Sequence, residues 1–194
     1  MSGTSESNPA EDTIAAMAVF GNILNQVDDE HLELATPCAD WDVQALISHV
    51  VLGDASIPLL FDGQSLDLSQ PINPSILGPN PMATWRGTAL AAIEAFRRPG
   101  AMEQIVAHPV GDRPGSVVAR FRLVDVLTHA WDLATACSIP VELPDELAEA
   151  ALEFLQPMFE QIRGSEYFVD AGTVEPSGGA SPGVRLVSLL GRRP

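Results

Sequence analysis

The chain has 194 residues, 46% of them hydrophobic and 19% charged, with 26 acidic side chains against 10 basic ones and a formal charge of -16. The length suits one substantial core and the composition is that of a folded globular protein. A field of this sign repels phosphate backbones and anionic membrane surfaces. With 11 aromatics, no basic stripe and no interleaved stacking residues, the footprint of a nucleic-acid reader is missing.

Cys38 and Cys137 are the only cysteines, too few for the disulfide framework of a small secreted domain, so a reducing compartment fits. Residues 1–12 are polar and acidic, unlike the basic start and apolar run of a signal peptide. The expectation is a cytoplasmic protein with neither nucleic acid nor membrane as a partner, monomeric or homodimeric.

In chain order, residues 1–9 read as a flexible tail. Over 10–27, Ile14, Met17, Ala18, Phe20, Gly21 and Leu24 recur near helical spacing, and Asp28, Asp29 and Glu30 close the segment with charge. Thr36 to Asp40 reads as a turn in which Asp40 caps a second helix running from Trp41 to about Phe61. Val43, Leu46, Ile47 and Val50 form that helix's apolar face, with His49 at its edge beside Gly53. Residues 62–81 hold Pro71, Pro74, Pro79 and Pro81 and predict a long irregular connection. A third helix is expected over 82–98, with Trp85, Ala89, Ala92, Ile93 and Phe96 on one face and Pro99-Gly100 ending it.

The runs 105–110 and 116–119 flank Gly111-Asp112-Arg113-Pro114-Gly115 and suggest a short hairpin. Helix four, over 119–136, is apolar around most of its circumference, the pattern of a buried helix. Against that background Asp125, His129 and Asp132 fall at i, i+4 and i+7, within roughly 60° of one another on the helical wheel. A fifth helix is expected from Pro144 to about Arg163, kinked at Pro157. In the tail, 164–194, a Gly/Ser/Pro loop at 176–183 precedes an amphipathic piece over 184–190 that Gly191 stops. The organisation is thus a helical bundle over 10–163 with the tail packed on it.

Burying two carboxylates and an imidazole without partners costs several kcal/mol. Metal coordination is one explanation: Asp125 and His129 bind one ion from a single helix while His49 on a facing helix completes a facial set. The other is that both histidines are hydrogen-bonded core residues oriented by Asp125 or Asp132, with Arg122 paired nearby. Spacing alone leaves these two about even. Cys38, just before the helix-two cap, reads as a structural thiol rather than a nucleophile, and Trp41, Trp85 and Trp131 as core. His31 and His108 sit in loop contexts and carry no role.

Longer motifs add a resemblance. Thr36-Pro37-Cys38-Ala39-Asp40-Trp41-Asp42-Val43, followed by Leu46 and His49-Val50-Val51, resembles the helix-two signature of the mycothiol-dependent maleylpyruvate isomerase-like proteins of the DinB-like superfamily. Asp125-Val126-Leu127-Thr128-His129-Ala130-Trp131-Asp132-Leu133-Ala134 looks like that family's second metal segment, and the ending Leu189-Leu190-Gly191-Arg192-Arg193-Pro194 is similar to the chain end of one small subgroup.

The resemblance implies a mainly α, DinB-like four-helix bundle with an extra C-terminal helix. It also implies a divalent ion, zinc before nickel, held by His49, Asp125 and His129. The isomerases usually carry Glu where this chain has the shorter Asp125, which makes Asp132 the substitute ligand. They also carry a sizeable C-terminal α/β domain, for which residues 164–194 are too few. The implied function is a metal-dependent isomerase or S-transferase that presents a low-molecular-weight thiol such as mycothiol, as thiolate, to an electrophilic small molecule. Arg122 then holds an anionic group of that substrate or, equally well, pairs with an acid of the fold. The alternatives are a metal-stabilised binding or scaffold protein without turnover and, third, a thiol-independent hydrolase.

Overall fold

The computed structural model describes residues 8–64, 72–158 and 178–194. The protein is mainly helical, as expected. Its long helices are α1 (Pro9–Leu24), α2 (Val43–Phe61), α3 (Pro81–Phe96) and α4 (Gly115–Ala136), and α5 (Asp145–Leu155) and α6 (Pro182–Leu189) follow them. α1 packs along α4 and α2 along α3, α2 also meets α4, and α5 pairs with α6. The first four helices make a bundle around Met17, Phe20, Leu46, Ile47, Leu123 and Leu127, all essentially without solvent exposure.

The helix starts follow from local chemistry. Asn8 accepts from the backbone N–H of Ala10 and Glu11 ahead of Pro9, and Asn80 accepts from Ala83 N–H ahead of Pro81. The cap of α2 is Asp42, not Asp40: its carboxylate accepts from Ala45 N–H at 2.8 Å and the helix begins at Val43. Asp40 instead adopts a left-handed backbone with φ of 69°. That lets Ala35 bridge to Asp42 and Thr36 N–H bond the Trp41 carbonyl, so the expected turn persists two residues further than its composition suggests.

The hairpin is also shorter than expected. β1 (Ile105–Val106) pairs with β2 (Arg113–Pro114), and residues 116–119 lie in the first turns of α4. The helix can start early because Gly115 approaches the Ala101 carbonyl oxygen so closely that a Cβ would sit 2.0 Å from it. The connection after α2 is not wholly irregular, since Pro74–Leu77 forms a 3-10 turn that buries Leu77. Residues 65–71, Pro71 included, are outside the described residues.

At the other end, α5 stops at Leu155 and Gln156–Met158 continues as a 3-10 turn containing Pro157, whose ring lacks the N–H that an α-helix needs there. The expected run to Arg163 passes outside the described residues. α6 falls where the amphipathic piece was expected, and Gly191 turns the chain with φ of 83°. α2 is long and apolar enough to cross a membrane by composition, yet half of it is buried inside the bundle, the pattern of a core helix.

Candidate metal centre

α4 is buried on most sides, as its sequence predicts, and its polar stripe faces α2 and the chain end, with Asp125 partly open to solvent. His49 Nε2 lies 3.0 Å from Asp125 Oδ1, and His129 Nε2 lies 3.3 Å from the same oxygen. These three donor atoms, two from α4 and one from α2, converge within 4.8 Å of one another. Neighbouring ligands on a tetrahedral ion with bonds of about 2.0–2.1 Å are about 3.3–3.4 Å apart, so the two nitrogen–oxygen separations suit such an ion. His129 is buried, whereas the side chains of His49 and Asp125 keep 32% and 29% of their surface exposed. The cluster therefore has a wet side.

Asp132 sits on the opposite face of the same imidazole, its Oδ2 3.0 Å from His129 Nδ1, and is completely buried. It fixes the ring so that Nε2 points toward Asp125, the arrangement in which a carboxylate behind a ligating histidine orients it. The Trp41 ring lies 4.7 Å from the His49 ring and 5.7 Å from that of His129, centroid to centroid, and walls the pair on one side. Trp41 is therefore part of the site's wall as well as packing.

Arg122 is not free for a substrate. It is 6% exposed, and each guanidinium nitrogen has a protein acceptor: Nε donates to Asp54 Oδ1 at 2.8 Å, one terminal nitrogen to Asp125 Oδ2 and the other to the Val50 carbonyl at 2.6 Å. Of its two expected roles, the geometry gives it the structural ion pair. The second Asp54 oxygen and the Trp85 indole nitrogen are both buried without a hydrogen-bond partner among the described residues. Burial pushes the Asp54 carboxyl up, and Arg122, with a small lowering contribution from Trp85, recovers only part of that.

Burial also acts against the charged form of Asp125, but His49, Arg122 and His129 together hold its carboxyl well below the usual range. The reverse applies to His129: burial disfavours its cation, and Asp125 and Asp132 raise it well above an ordinary histidine. Without metal, the three acids Asp54, Asp125 and Asp132 are paired with Arg122, Arg192 and His129, whose raised pKa favours a proton on the ring. A cation at the three donors would take the place of that proton.

Sequence reasoning missed three members of this network. Asp54 looks like one polar residue on an apolar helix, and its only signal is that a buried Arg122 needs a second acid. Arg192, from the chain end, donates to both Asp132 oxygens at 3.1 and 2.8 Å. Cys38 donates its thiol proton to Asp132 Oδ2 at 3.2 Å and lies 3.8 Å from His129 Nδ1, nearer the chemistry than a merely structural thiol. His31 and His108 lie elsewhere, His31 completing the cap of the 3-10 turn Asp29–His31 and His108 stacking on Phe121.

Gly53 makes room for the guanidinium, because a Cβ there would stand 2.2 Å from an Arg122 terminal nitrogen. Gly53→Ala is expected to cost about 1–3 kcal/mol through that overpacking, read by urea unfolding, and to lower metal affinity by moving Asp125 with Arg122. An unchanged midpoint and affinity would mean that Arg122 is not fixed where its bonds indicate.

No family model matches the chain, and no solved structure does. Two proteins do, the uncharacterized protein MT0763 of Mycobacterium tuberculosis strain CDC 1551 / Oshkosh and the uncharacterized protein Rv0738 of strain H37Rv. Each is 34% identical to this chain over 179 residues, covering 91% of it and 93% of the relative.

Proposed function

We propose metal-dependent thiol chemistry for this chain, which belongs to the same family as those two mycobacterial proteins. In this reading it is an enzyme of the mycothiol-dependent isomerase or S-transferase type. His49, Asp125 and His129 hold a divalent ion, zinc or nickel, whose role is to stabilise a low-molecular-weight thiol as thiolate for attack on an electrophilic small molecule. The observation that carries it is the convergence of three donor atoms from two helices on a spot that His49 and Asp125 leave open to solvent. Three protein ligands with an accessible side are what a catalytic site needs, whereas a structural zinc is normally closed by four.

The chain's own residues have separate tasks in this scheme. Asp132 keeps the His129 Nδ1 side occupied, so that Nε2 faces the ion. Arg122 neutralises the far oxygen of Asp125 and fixes its rotamer. Trp41 shields the histidines from water on one side and offers an apolar surface to the carbon skeleton of a ligand. The resemblance to the DinB-like superfamily supports the same ligand set of His49, Asp125 and His129, with Asp132 as the substitute acid; the place of Asp132 against His129 Nδ1 comes from the geometry.

The non-catalytic scaffold reading has its own support, since the ligands would tie α2 to α4. Elemental analysis of untagged protein tests the site itself: near-stoichiometric zinc or nickel in wild type, lost in His49→Ala, is expected. No metal under any reconstitution would return these histidines to the core. Metal that exchanges without changing thermal stability, together with thiol-dependent turnover of epoxides, halides or unsaturated acids, favours the enzyme; unfolding on chelation with no turnover favours the scaffold.

A further inference from the structure

The polar network has a second set of donors that the first centre does not use. Cys38 Sγ, Asp132 Oδ2 and His129 Nδ1 all lie within 4.8 Å of one another. The separations are 3.2 Å from sulfur to oxygen, 3.8 Å from sulfur to nitrogen and 3.0 Å from nitrogen to oxygen. An ion with bonds of about 2.3 Å to sulfur and about 2.0–2.1 Å to nitrogen and oxygen sets tetrahedral ligands about 3.3–3.6 Å apart, so each separation is within a few tenths of an ångström of what coordination requires. His129 and Asp132 are buried and Cys38 is half-buried.

A cation already occupies this place. The Arg192 guanidinium donates to both oxygens of Asp132 and, through its Nη2, to Cys38 Sγ at 3.3 Å. It does so from beyond the end of α6, after the left-handed turn at Gly191. Its remaining bond is to the nearby Leu190 carbonyl, so withdrawing it removes no core side chain from the bundle.

We propose that Cys38, Asp132 and Nδ1 of His129 form a second, thiolate-containing site for a zinc-class divalent ion, and that Arg192 is the internal cation competing for it. Binding exchanges the guanidinium for the ion, and the protons on Cys38 Sγ and His129 Nδ1 pass to solvent. The site uses the nitrogen of His129 opposite to the one in the first centre and does not depend on His49. Sulfur makes it the softer of the two, selective for zinc, cobalt or cadmium over magnesium or calcium.

The test is cobalt(II) titration of the full chain, following the sulfur-to-cobalt charge-transfer band in the near ultraviolet. Arg192→Gln is expected to give the band with an affinity about tenfold tighter than wild type. Adding His49→Ala to Arg192→Gln should leave the band intact, and adding Cys38→Ser should abolish it. In wild type, saturating zinc should slow alkylation of Cys38, read by peptide mass spectrometry, which needs no variant to fold. A folded Arg192→Gln protein without the band, a band that survives Cys38→Ser, or zinc-independent alkylation of Cys38 would each overturn the proposal. Loss of metal only in His49→Ala would bear on the first centre and leave this one standing.

Discussion

Replacing Arg122 by Ala should be the most damaging single change in the bundle, lowering the unfolding free energy in urea by about 3–5 kcal/mol, the range for breaking a buried ion pair from one side. Asp54 has no solvent exposure, and Arg122 is its only cation among the described residues. The Val50 carbonyl loses its side-chain donor too, and Asp125 is left with its histidine partners among the described residues. Burial already pushes the Asp54 carboxyl up with Arg122 in place, and removing the guanidinium removes the main force opposing it. A carboxyl whose folded pKa is raised favours the fold when protonated, so the loss should shrink as pH falls through that raised value. The pair Arg122→Met with Asp54→Leu removes both charges and should recover much of the loss, since apolar replacements of a buried ion pair are commonly tolerated. A loss below about 1 kcal/mol in Arg122→Ala would mean that the pair is not buried as described.

What could be read from the sequence depended on whether its cause was local. The helices were legible because apolar periodicity and capping chemistry act within a few residues, and the stripe Asp125, His129 and Asp132 stood out because the rest of α4 is apolar. The start of α2 was not, because Asp40 and Asp42 have the same capping chemistry. The choice between them is made by pairing of Ala35 with Asp42, eight residues of chain bent back on itself. The β-branched pair Val117-Val118 suggested a strand; the close approach of Gly115 to Ala101, a tertiary fact, puts it in a helix.

The candidate centre divides in the same way. His49, Asp125 and His129 carry an i, i+4 signature and a helix-edge position, and they meet. Asp132 was legible as part of the stripe, but which nitrogen of His129 it faces was not. Arg192 is 60 positions from Asp132 and Cys38 is 94, and no periodicity links such distant residues. Nor could composition tell that every guanidinium nitrogen of Arg122 already has a protein acceptor: that follows from the packing of α2, where Gly53 leaves room and Val50 and Asp54 supply acceptors.

His129 joins both donor sets, and its replacement separates metal binding from the stability of the network. His129→Ala should abolish metal at the first centre as His49→Ala does. Unlike His49→Ala, it should also abolish the cobalt-thiolate band in the Arg192→Gln background. In protein stripped of metal, His129 is a cation between two carboxylates, and its folded pKa is raised well above the ordinary histidine value of about 6.5. Its contribution is therefore fully present below that ordinary value and is lost as pH rises through the raised one. Removing it should cost about 1.5–3 kcal/mol in slightly acid solution, the worth of hydrogen bonds to charged groups, and progressively less as pH rises. Urea unfolding of wild type and variant across that range, with chelator present, reads the difference directly. A gap that widens with pH would mean that the folded metal-free protein holds His129 neutral, and the charge pairing drawn for this network would then be wrong.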